Sequence, residues 1–187
     1  VQSLAYATAV RGANHLRRGM QLCGIRVPRL KEALGGEEAV KDLLRKPRAI
    51  EGKGMLLAVD NDFMAMINCL EVCQVVAGRI DDRVNLDQLA ELVTFATGVD
   101  MSGDDLMKIG ERINNLEKAF NIREGMGRKD DTLPPSFLVE KETPYGTEGL
   151  SEEKFNTMLD EFYRFRGWDA EGIPTKVRRA AVILSCP

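Results

Sequence analysis

The chain has 187 residues and a formal net charge of −3 at neutral pH, with 29% charged and 44% hydrophobic residues. A chain of this length can bury enough apolar surface to fold without a stabilising metal or disulfide, and its length suggests one domain. The acidic balance argues against a general nucleic-acid binder, whose binding face would be basic. No apolar run approaches the roughly 20 residues that cross a bilayer, so we expect neither nucleic acid nor a membrane among its partners.

The sequence begins with VQSLAYATAVRG, without an initiator Met or a secretory leader, and we therefore expect a fragment of a larger protein. Its four cysteines are Cys23, Cys69, Cys73 and Cys186. They are too few and too unevenly spaced for a secreted disulfide scaffold, which predicts reduced thiols in a cytoplasmic protein.

Helical patterns dominate the first half. Residues 3–20 contain no Pro and many helix formers, although Gly12 weakens the pattern. The VPRL stretch at 27–30 predicts a break, and residues 37–44 predict a short helix before Pro47. Residues 54–76 form a long apolar run, which is typical of a buried central helix.

The second half carries clearer helix boundaries. Asn85 with Gln88 predicts a capping box, and Gly98 predicts the end of that helix. The expected apolar face of this helix consists of Leu86, Leu89, Leu92, Val93 and Ala96. Ser102 predicts the cap of a longer helix, whose expected apolar face consists of Leu106, Ile109, Ile113, Leu116 and Phe120.

The last predicted helix begins after Ser151 and ends at Gly167, with Leu150 and Phe155 spaced as a hydrophobic staple. Between the two final helices, residues 121–149 are rich in Gly, Pro and charge and predict an extended surface excursion. No stretch predicts a strand pair or an internal repeat. The sequence therefore predicts an all-α fold, a single irregular multi-helix domain over residues 1–187.

Cys69 and Cys73 would lie one turn apart on the same face if their segment is helical. They then suit a buried apolar pair, half of a metal site, or a redox couple. A disulfide within one helix is disfavoured, because the two Cα atoms would lie ~6 Å apart with parallel Cβ vectors. A zinc site or a self-contained iron–sulfur cluster needs four ligands, so this chain supplies only part of any such set. We favour plain packing, since unliganded cysteine is among the most buried residue types.

His15 lies in the stretch RGANHLRR, with Arg11 and Arg18 about one helical turn to either side. One interpretation is a solvated basic face. The other is a proton-transfer group beside an anion site, because guanidinium groups bind phosphate-like anions bidentately. Residue types and spacing alone leave both open.

Four stretches together resemble one family. They are RGANHLR, INCLEVCQ, TGVDMSGDDLMKIGERINNLEKAFNIREGMGRKDDTLPP and LDEFYRFRGWDAEGIPT. In order and spacing they are similar to the C-terminal part of the tungsten-containing aldehyde:ferredoxin oxidoreductases, over about residues 5–175. The resemblance implies a helical C-terminal domain that lies against a tungsten bis-pterin (a molybdopterin-type cofactor) and a 4Fe-4S cluster.

The resemblance also implies an activity and partners. The full-length enzyme would oxidise an aldehyde to a carboxylic acid (an oxidoreductase of the 1.2.7 type), with electron transfer through the cluster to ferredoxin. Its remaining partners would be the N-terminal domains of the same enzyme and, as a homodimer, a second copy. We expect the isolated segment to bind neither cofactor and to be inactive.

The resemblance assigns roles residue by residue. The family's Asp-x-x-Gly-Leu-Cys motif aligns with residues 68–73, which makes Cys73 a cluster ligand and places Asn68 and Val72 at pterin-contacting positions. Cys69 matches no ligand and keeps its interpretation as a packing residue. His15 matches a histidine near substrate and tungsten, and Arg17 matches a basic residue near the pterin.

Two residues depart from the family motif: Asn68 replaces its Asp, and Glu71 replaces its Gly. The departures leave two alternatives. One is a related tungsten enzyme, such as the catalytic subunit of an aromatic acyl-CoA reductase. The other is a cofactor-free helical interaction module whose site residues are vestigial.

Overall fold

The computed structural model describes residues 1–14, 28–46, 48–73, 77, 85–144 and 146–175. The fold is all-α, as the sequence predicts. The helices in chain order are α1 (Gln2–Ala7), α2 (Pro28–Leu34), α3 (Glu37–Arg45), α4 (Lys53–Cys69), α5 (Leu86–Thr97), α6 (Gly103–Arg123) and α7 (Glu152–Arg166). The long helices α6 and α7 both pack on α4, and the three form the centre of the described part of the molecule.

Two predictions for the first half are wrong. The helix expected over 3–20 ends at Ala7, where the Thr8 hydroxyl donates to the Leu4 carbonyl and the chain then turns through Gly12 with a positive φ of 92°. The break expected at 27–30 is instead the start of α2, because the first turn of a helix tolerates a proline. The short helix expected at 37–44 is confirmed as α3.

The central helix α4 is buried almost throughout its length, as expected. It ends at Cys69, however, seven residues before the predicted end. Cys69 and Cys73 therefore do not share a helical face. The wrong boundary has a local cause, since the turn that ends α4 is made by a non-glycine residue, Glu71.

The predicted caps are confirmed. Asn85 and Gln88 form a reciprocal capping box on α5, and Gly98 ends that helix in the left-handed conformation. Ser102 caps α6 together with Asp105, and Ser151 caps α7, which ends at Gly167. These signals are local, so sequence alone identifies them.

The predicted apolar faces of α5 and α6 are only partly buried. Leu89 and Leu106 are buried, but Leu92, Leu116 and Phe120 are 60%, 66% and 54% exposed. The buried side of α6 consists largely of small and polar residues: Gly103, Leu106, Gly110, Asn114, Asn115 and Lys118. Hydrophobic periodicity cannot identify a face of this kind.

Gly110 explains how this polar face of α6 packs against α4. A Cβ at Gly110 would overlap the backbone carbonyl of Asp62. The missing side chain therefore lets the two helix backbones approach closely. Asn114, one turn further on, donates through Nδ2 to Asp62 Oδ1 at 2.9 Å.

Helix α7 supplies hydrogen-bond partners for backbone N–H groups at the start of α4 that have no partner within that helix. Both Glu161 carboxylate oxygens accept backbone N–H bonds at the start of α4, from Gly52 and Gly54, each at 2.7 Å. A carboxylate is favourable there because a helix N-terminus carries partial positive charge. Around this contact, Phe155, Leu159 and Phe162 pack with the aliphatic residues of α1 and α4 in one apolar cluster.

The segment between α6 and α7 is more ordered than the sequence suggests. It contains 3-10 turns at Arg128–Asp130 and Pro135–Phe137 and buries Leu133 and Asp131. It also contains a strand pair that the sequence analysis missed, β1 (Lys141–Thr143) with β2 (Gly146–Glu148), antiparallel. Three-residue strands in a charged segment give no detectable alternation. Asp131 accepts from Lys118 at 2.5 Å and from the Tyr163 hydroxyl, which fixes the segment to α6 and α7.

Among the described residues, none of the helices combines the length and the hydrophobicity needed to cross a membrane.

The close approach at Gly110 predicts a large effect from one methyl group. Gly110→Ala must push α6 away from α4, and we expect the free energy of unfolding to fall by about 1–3 kcal/mol. The control is Gly127→Ala, since a Cβ at Gly127 meets nothing within 4 Å and its φ is not positive. Urea unfolding of the two variants checks this, and equal stabilities would contradict the close-packing argument.

Candidate functional site

A pocket lies where the loop after α1 meets α4 and α6. Its volume is about 340 Å³. The described residues that line it are Ala9, Val10, Arg11, Gly12, Asn14, Asn61, Ala65, Asn68, Cys69, Ile113, Asn114 and Glu117. Four of these twelve are asparagines, so the polar part of the lining is dominated by neutral amides.

Helix geometry explains why α4 presents its part of the lining. Asn61, Ala65 and Asn68 recur at intervals of four and three residues, which places them on one face of the helix. On the other side, Asn121 of α6 donates through Nδ2 to the Val10 carbonyl at 2.8 Å and fixes the loop that carries Arg11. Three separate parts of the chain thus meet at one pocket.

Two asparagines in the lining have unsatisfied polar atoms. Asn61 is 1% exposed, and neither its Nδ2 nor its Oδ1 has a hydrogen-bond partner. Asn114 is 2% exposed, and its Oδ1 is also unpartnered although its Nδ2 is bonded twice. Leaving a buried polar group unpaired costs about 1–3 kcal/mol. Two residues with such groups in the lining make this pocket a candidate binding site.

A buried ion pair lies beside the pocket. Asp62 accepts from Arg166 Nη1 at 2.6 Å, and the two side chains are 5% and 1% exposed. Burial raises the pKa of Asp62 above its ordinary value, and the positive charge of Arg166 opposes that rise. Because Asp62 is next to Asn61 in α4 and bonds to Asn114, this pair fixes the backbone and one amide of the pocket.

The end of α4 forms a Schellman turn. The Val72 N–H donates to the Ile67 carbonyl at 3.3 Å and the Glu71 N–H to the Asn68 carbonyl at 3.4 Å. Val72 also packs against the cluster that contains Ile67, the apolar contact that accompanies this motif. The residue after the cap in such a turn is left-handed and usually glycine, and here it is Glu71, with φ 56°.

The resemblance predicts that residues 68–73 align with the family motif. In that alignment the Gly of the motif falls at the left-handed position of the turn, and its Leu falls at the residue that packs back on the helix. Glu71 is the one non-glycine residue with positive φ among the described residues. Glu71 therefore adopts a backbone conformation that glycine adopts more readily.

The structure places the predicted site residues as follows. Asn68 is half-buried in the pocket wall, Val72 is half-buried against the core, and Cys73 is exposed just after the turn. Cys69 is exposed at the pocket rather than buried, so its interpretation as a packing residue is wrong. His15 and Arg17 lie outside the described residues, and Asn14, next to His15 in the chain, lines the pocket.

Within the described ranges, no group of three or more His, Cys, Asp or Glu side chains could bind a metal ion. The sequence analysis also missed Asn61 and Asn114. An asparagine inside an apolar helical run, as at Asn61, is the one signal that could have identified them, because a buried amide needs partners.

The fold and pocket define an all-α domain with a cavity whose polar lining consists mainly of asparagines and that has an exposed cysteine, Cys69, in its wall. A sequence model described as "Aldehyde ferredoxin oxidoreductase, domains 2 & 3" matches residues 1–181. The chain therefore belongs to the aldehyde ferredoxin oxidoreductase family.

Relatives with high similarity are tungsten-containing aldehyde ferredoxin oxidoreductases. The protein from Pyrococcus furiosus is 32% identical over 65% of this chain and 20% of its own length. The protein from Pyrococcus abyssi is 29% identical over 90% of this chain and 25% of its own length. The chain thus spans about a fifth to a quarter of these relatives.

Among solved structures, the fold resembles the active-site complex BamBC of benzoyl coenzyme A reductase in complex with 1,5-dienoyl-CoA. The TM-score is 0.62 and the sequence identity 22%, over 84% of this chain and 23% of that one. At this identity the likeness concerns the fold alone.

The left-handed Glu71 predicts a stabilising substitution. Glu71→Gly removes about 1–2 kcal/mol of left-handed strain at a smaller entropic cost, so we expect a net gain of roughly 1 kcal/mol in the free energy of unfolding. Glu124→Gly is the matched control: Glu124 is an exposed acidic residue that also follows a helix, but its φ is −83°. Chemical unfolding measures both variants. If both have a higher free energy of unfolding, the cause is removal of a negative charge at a helix end and not relief of left-handed strain.

Proposed function

We propose that this chain is the C-terminal helical part of a tungsten bis-pterin oxidoreductase that oxidises aldehydes to carboxylic acids. The observation that carries the proposal is the pocket. It gathers residues of the RGANHLR stretch (Arg11, Gly12 and Asn14) with Asn68 of the six-residue motif, about fifty residues away in sequence. Two sequence stretches that both resemble the family thus line the same cavity.

The lining at Asn68 fits a pterin. The amino-pyrimidine edge of a pterin is neutral and presents both donors and acceptors, and a primary amide offers both in return. Asn68 is half-buried at the pocket wall, and the Schellman turn that follows it fixes its backbone carbonyl. Asn68 would hold this edge through one acceptor and one donor, where the family's carboxylate offers acceptors only.

Cys73 would supply one thiolate to a 4Fe-4S cluster. It is exposed and carries no disulfide, so its sulfur is open to a cluster at the surface of this domain. The other ligands would come from the N-terminal domains of the same enzyme, because a cluster of this type is held by four cysteine thiolates.

The tungsten cofactor, when bound, would supply the two-electron redox chemistry that transfers oxygen from water to the aldehyde carbon. Overall, the aldehyde and one water would give the carboxylic acid, two protons and two electrons, and ferredoxin would be the final electron acceptor. The residues of this chain bind and position the reactants and move protons. His15 would accept a proton near the substrate, since its ordinary pKa lies near neutrality, and Arg17 would pair with an anionic group of the pterin cofactor.

The same proposal accounts for the apolar side chains that this part of the chain leaves exposed. Phe95 is 84% exposed, and Leu92, Leu116 and Phe120 are more than half exposed. The N-terminal domains of the enzyme would cover such residues, because burying them is favourable by about 25 cal/mol per Å². We further propose a cytoplasmic location, a homodimer of the complete enzyme, and no activity for this segment by itself.

Metal analysis and turnover of the full-length protein test the proposal. Anaerobically purified protein should contain tungsten and iron and should reduce a viologen dye when an aldehyde is added. Oxidation of a reduced viologen dye coupled to reduction of the ring of an aromatic acyl-CoA, without aldehyde oxidation, would favour the aromatic acyl-CoA reductase alternative. Protein without tungsten or iron would favour the cofactor-free interaction module.

The two cysteines predict a contrast in iron content. In the full-length enzyme, Cys73→Ala should lose the cluster or leave it incomplete, because a methyl group cannot replace a thiolate ligand. Cys69→Ala is the matched control, since Cys69 is an exposed cysteine four residues away that matches no ligand position. Iron per protein and the electron paramagnetic resonance signal of the reduced cluster are the readouts, and equal losses would show that the assignment of Cys73 is wrong.

A further inference from the structure

The inner part of the pocket is separate from the position proposed for the pterin. Asn61 precedes Asn68 by seven residues in α4, which is ~10 Å along the helix axis. One pyrimidine edge cannot bond to both side chains. The unsatisfied atoms of Asn61 and Asn114 therefore call for a second partner.

These atoms define what that partner must offer. The NH₂ group and the carbonyl oxygen of the Asn61 side chain have no partner, and neither does the side-chain carbonyl oxygen of Asn114. Whichever way the Asn61 amide is turned, it offers both functions. A hydroxyl group, which donates and accepts, complements such a pair of amides.

The lining also indicates a neutral partner. Its two charged residues among those described, Arg11 and Glu117, have opposite signs. The nearby carboxylate of Asp62 is already paired with Arg166. Burying an ion without a counter-charge would be costly, whereas a neutral polar group would not be.

Asn61 lines the pocket, although its amide atoms expose less than 1 Å² each. A bound group would reach these atoms only after the amide turns towards the cavity. Ala65 lies one turn further along the same face and presents only a methyl group. Ile113 on the facing helix offers apolar contact for a short carbon chain.

We infer that Asn61 and Asn114 form a specificity subsite that binds a hydroxyl group on the non-reacting part of the aldehyde substrate. The inference rests on the proposed aldehyde oxidation and names its substrate class: short, neutral, hydroxylated aldehydes. The enzyme oxidises the aldehyde carbon, and the subsite binds a hydroxyl carried further along the substrate chain.

Substrate competition tests the subsite in the full-length holoenzyme. The kcat/KM for 3-hydroxybutanal should exceed that for butanal by at least about 10-fold, the factor that one or two hydrogen bonds supply. In Asn61→Leu, which keeps the side-chain shape, the ratio should fall towards 1 with tungsten and iron content unchanged. An unchanged ratio would overturn the inference and would mean that the inner pocket holds only water. Loss of tungsten in Asn61→Leu would also overturn it, because Asn61 would then contribute to cofactor binding.

The control is Asn115→Leu. Asn115 is as buried as Asn61, but its Nδ2 donates to the Glu111 carbonyl and its Oδ1 accepts from the Trp168 indole. We expect this variant to lower the Tm by at least about 2–4 °C and to keep the substrate ratio. Asn61→Leu should not lower the Tm, because it removes a buried group that has no partner. The reverse pattern would show that Asn61 has a structural role.

A measurement without turnover separates the subsite from the proposed reaction. Butane-1,3-diol should shift the side-chain amide signals of Asn61 and Asn114 in nuclear magnetic resonance spectra of the 187-residue chain. Butan-1-ol, which lacks only the 3-hydroxyl, should not. Shifts with the diol alone support the subsite even if the holoenzyme oxidises no aldehyde, a result that would contradict only the proposed function. Equal shifts, or none, overturn the subsite.

Discussion

The buried ion pair between Asp62 and Arg166 is the interaction on which the arrangement of the three central helices depends. Asp62 lies in α4, Arg166 at the end of α7, and Asn114 of α6 donates to the same carboxylate oxygen. Arg166 also donates to the Ala58 carbonyl at 2.8 Å. A buried pair of this kind adds little net stability, but loss of one partner leaves an uncompensated charge that costs about 3–5 kcal/mol. The ion pair therefore contributes more to the specificity of this helix packing than to the free energy of unfolding.

Two further constraints follow from that packing. Gly110 has to be free of a side chain, because Asn114 reaches Asp62 only when α6 lies directly against α4. The start of α4 then lies against α7, where Glu161 satisfies its backbone N–H groups. These contacts hold the start and one side of α4, so the backbone that carries Asn61 and Asn68 has a defined position. A binding site benefits from such a position, since a preorganised backbone loses less entropy when a ligand binds.

The sequence predicts those parts of this fold that depend on local chemistry. The capping boxes at Asn85 and Ser102 and the glycine ends at Gly98 and Gly167 are determined within a few residues, and each is confirmed. The buried face of α6 could not be predicted from periodicity, because Asn114 and Lys118 are buried through partners 52 and 13 residues away in sequence. The end of α4 was missed for a related reason. Glu71 occupies a left-handed position that sequence rules reserve mainly for glycine, and Val72 and Ile67 fix the turn by packing.

The candidate site shows the same division between local and distant determinants. Resemblance to the family predicts roles for Asn68 and Cys73, because both positions fall in the short stretch that forms the turn after α4. It does not identify Asn61 or Asn114, since neither amide belongs to that stretch and their unsatisfied atoms become visible only when α4 and α6 are packed together. Asn115 is the instructive comparison, because it is equally buried in the same helix and finds both partners within the protein. An amide that lines a cavity and has buried, unpartnered polar atoms costs stability that packing alone does not recover. Such a cost is typical of residues that bind a ligand.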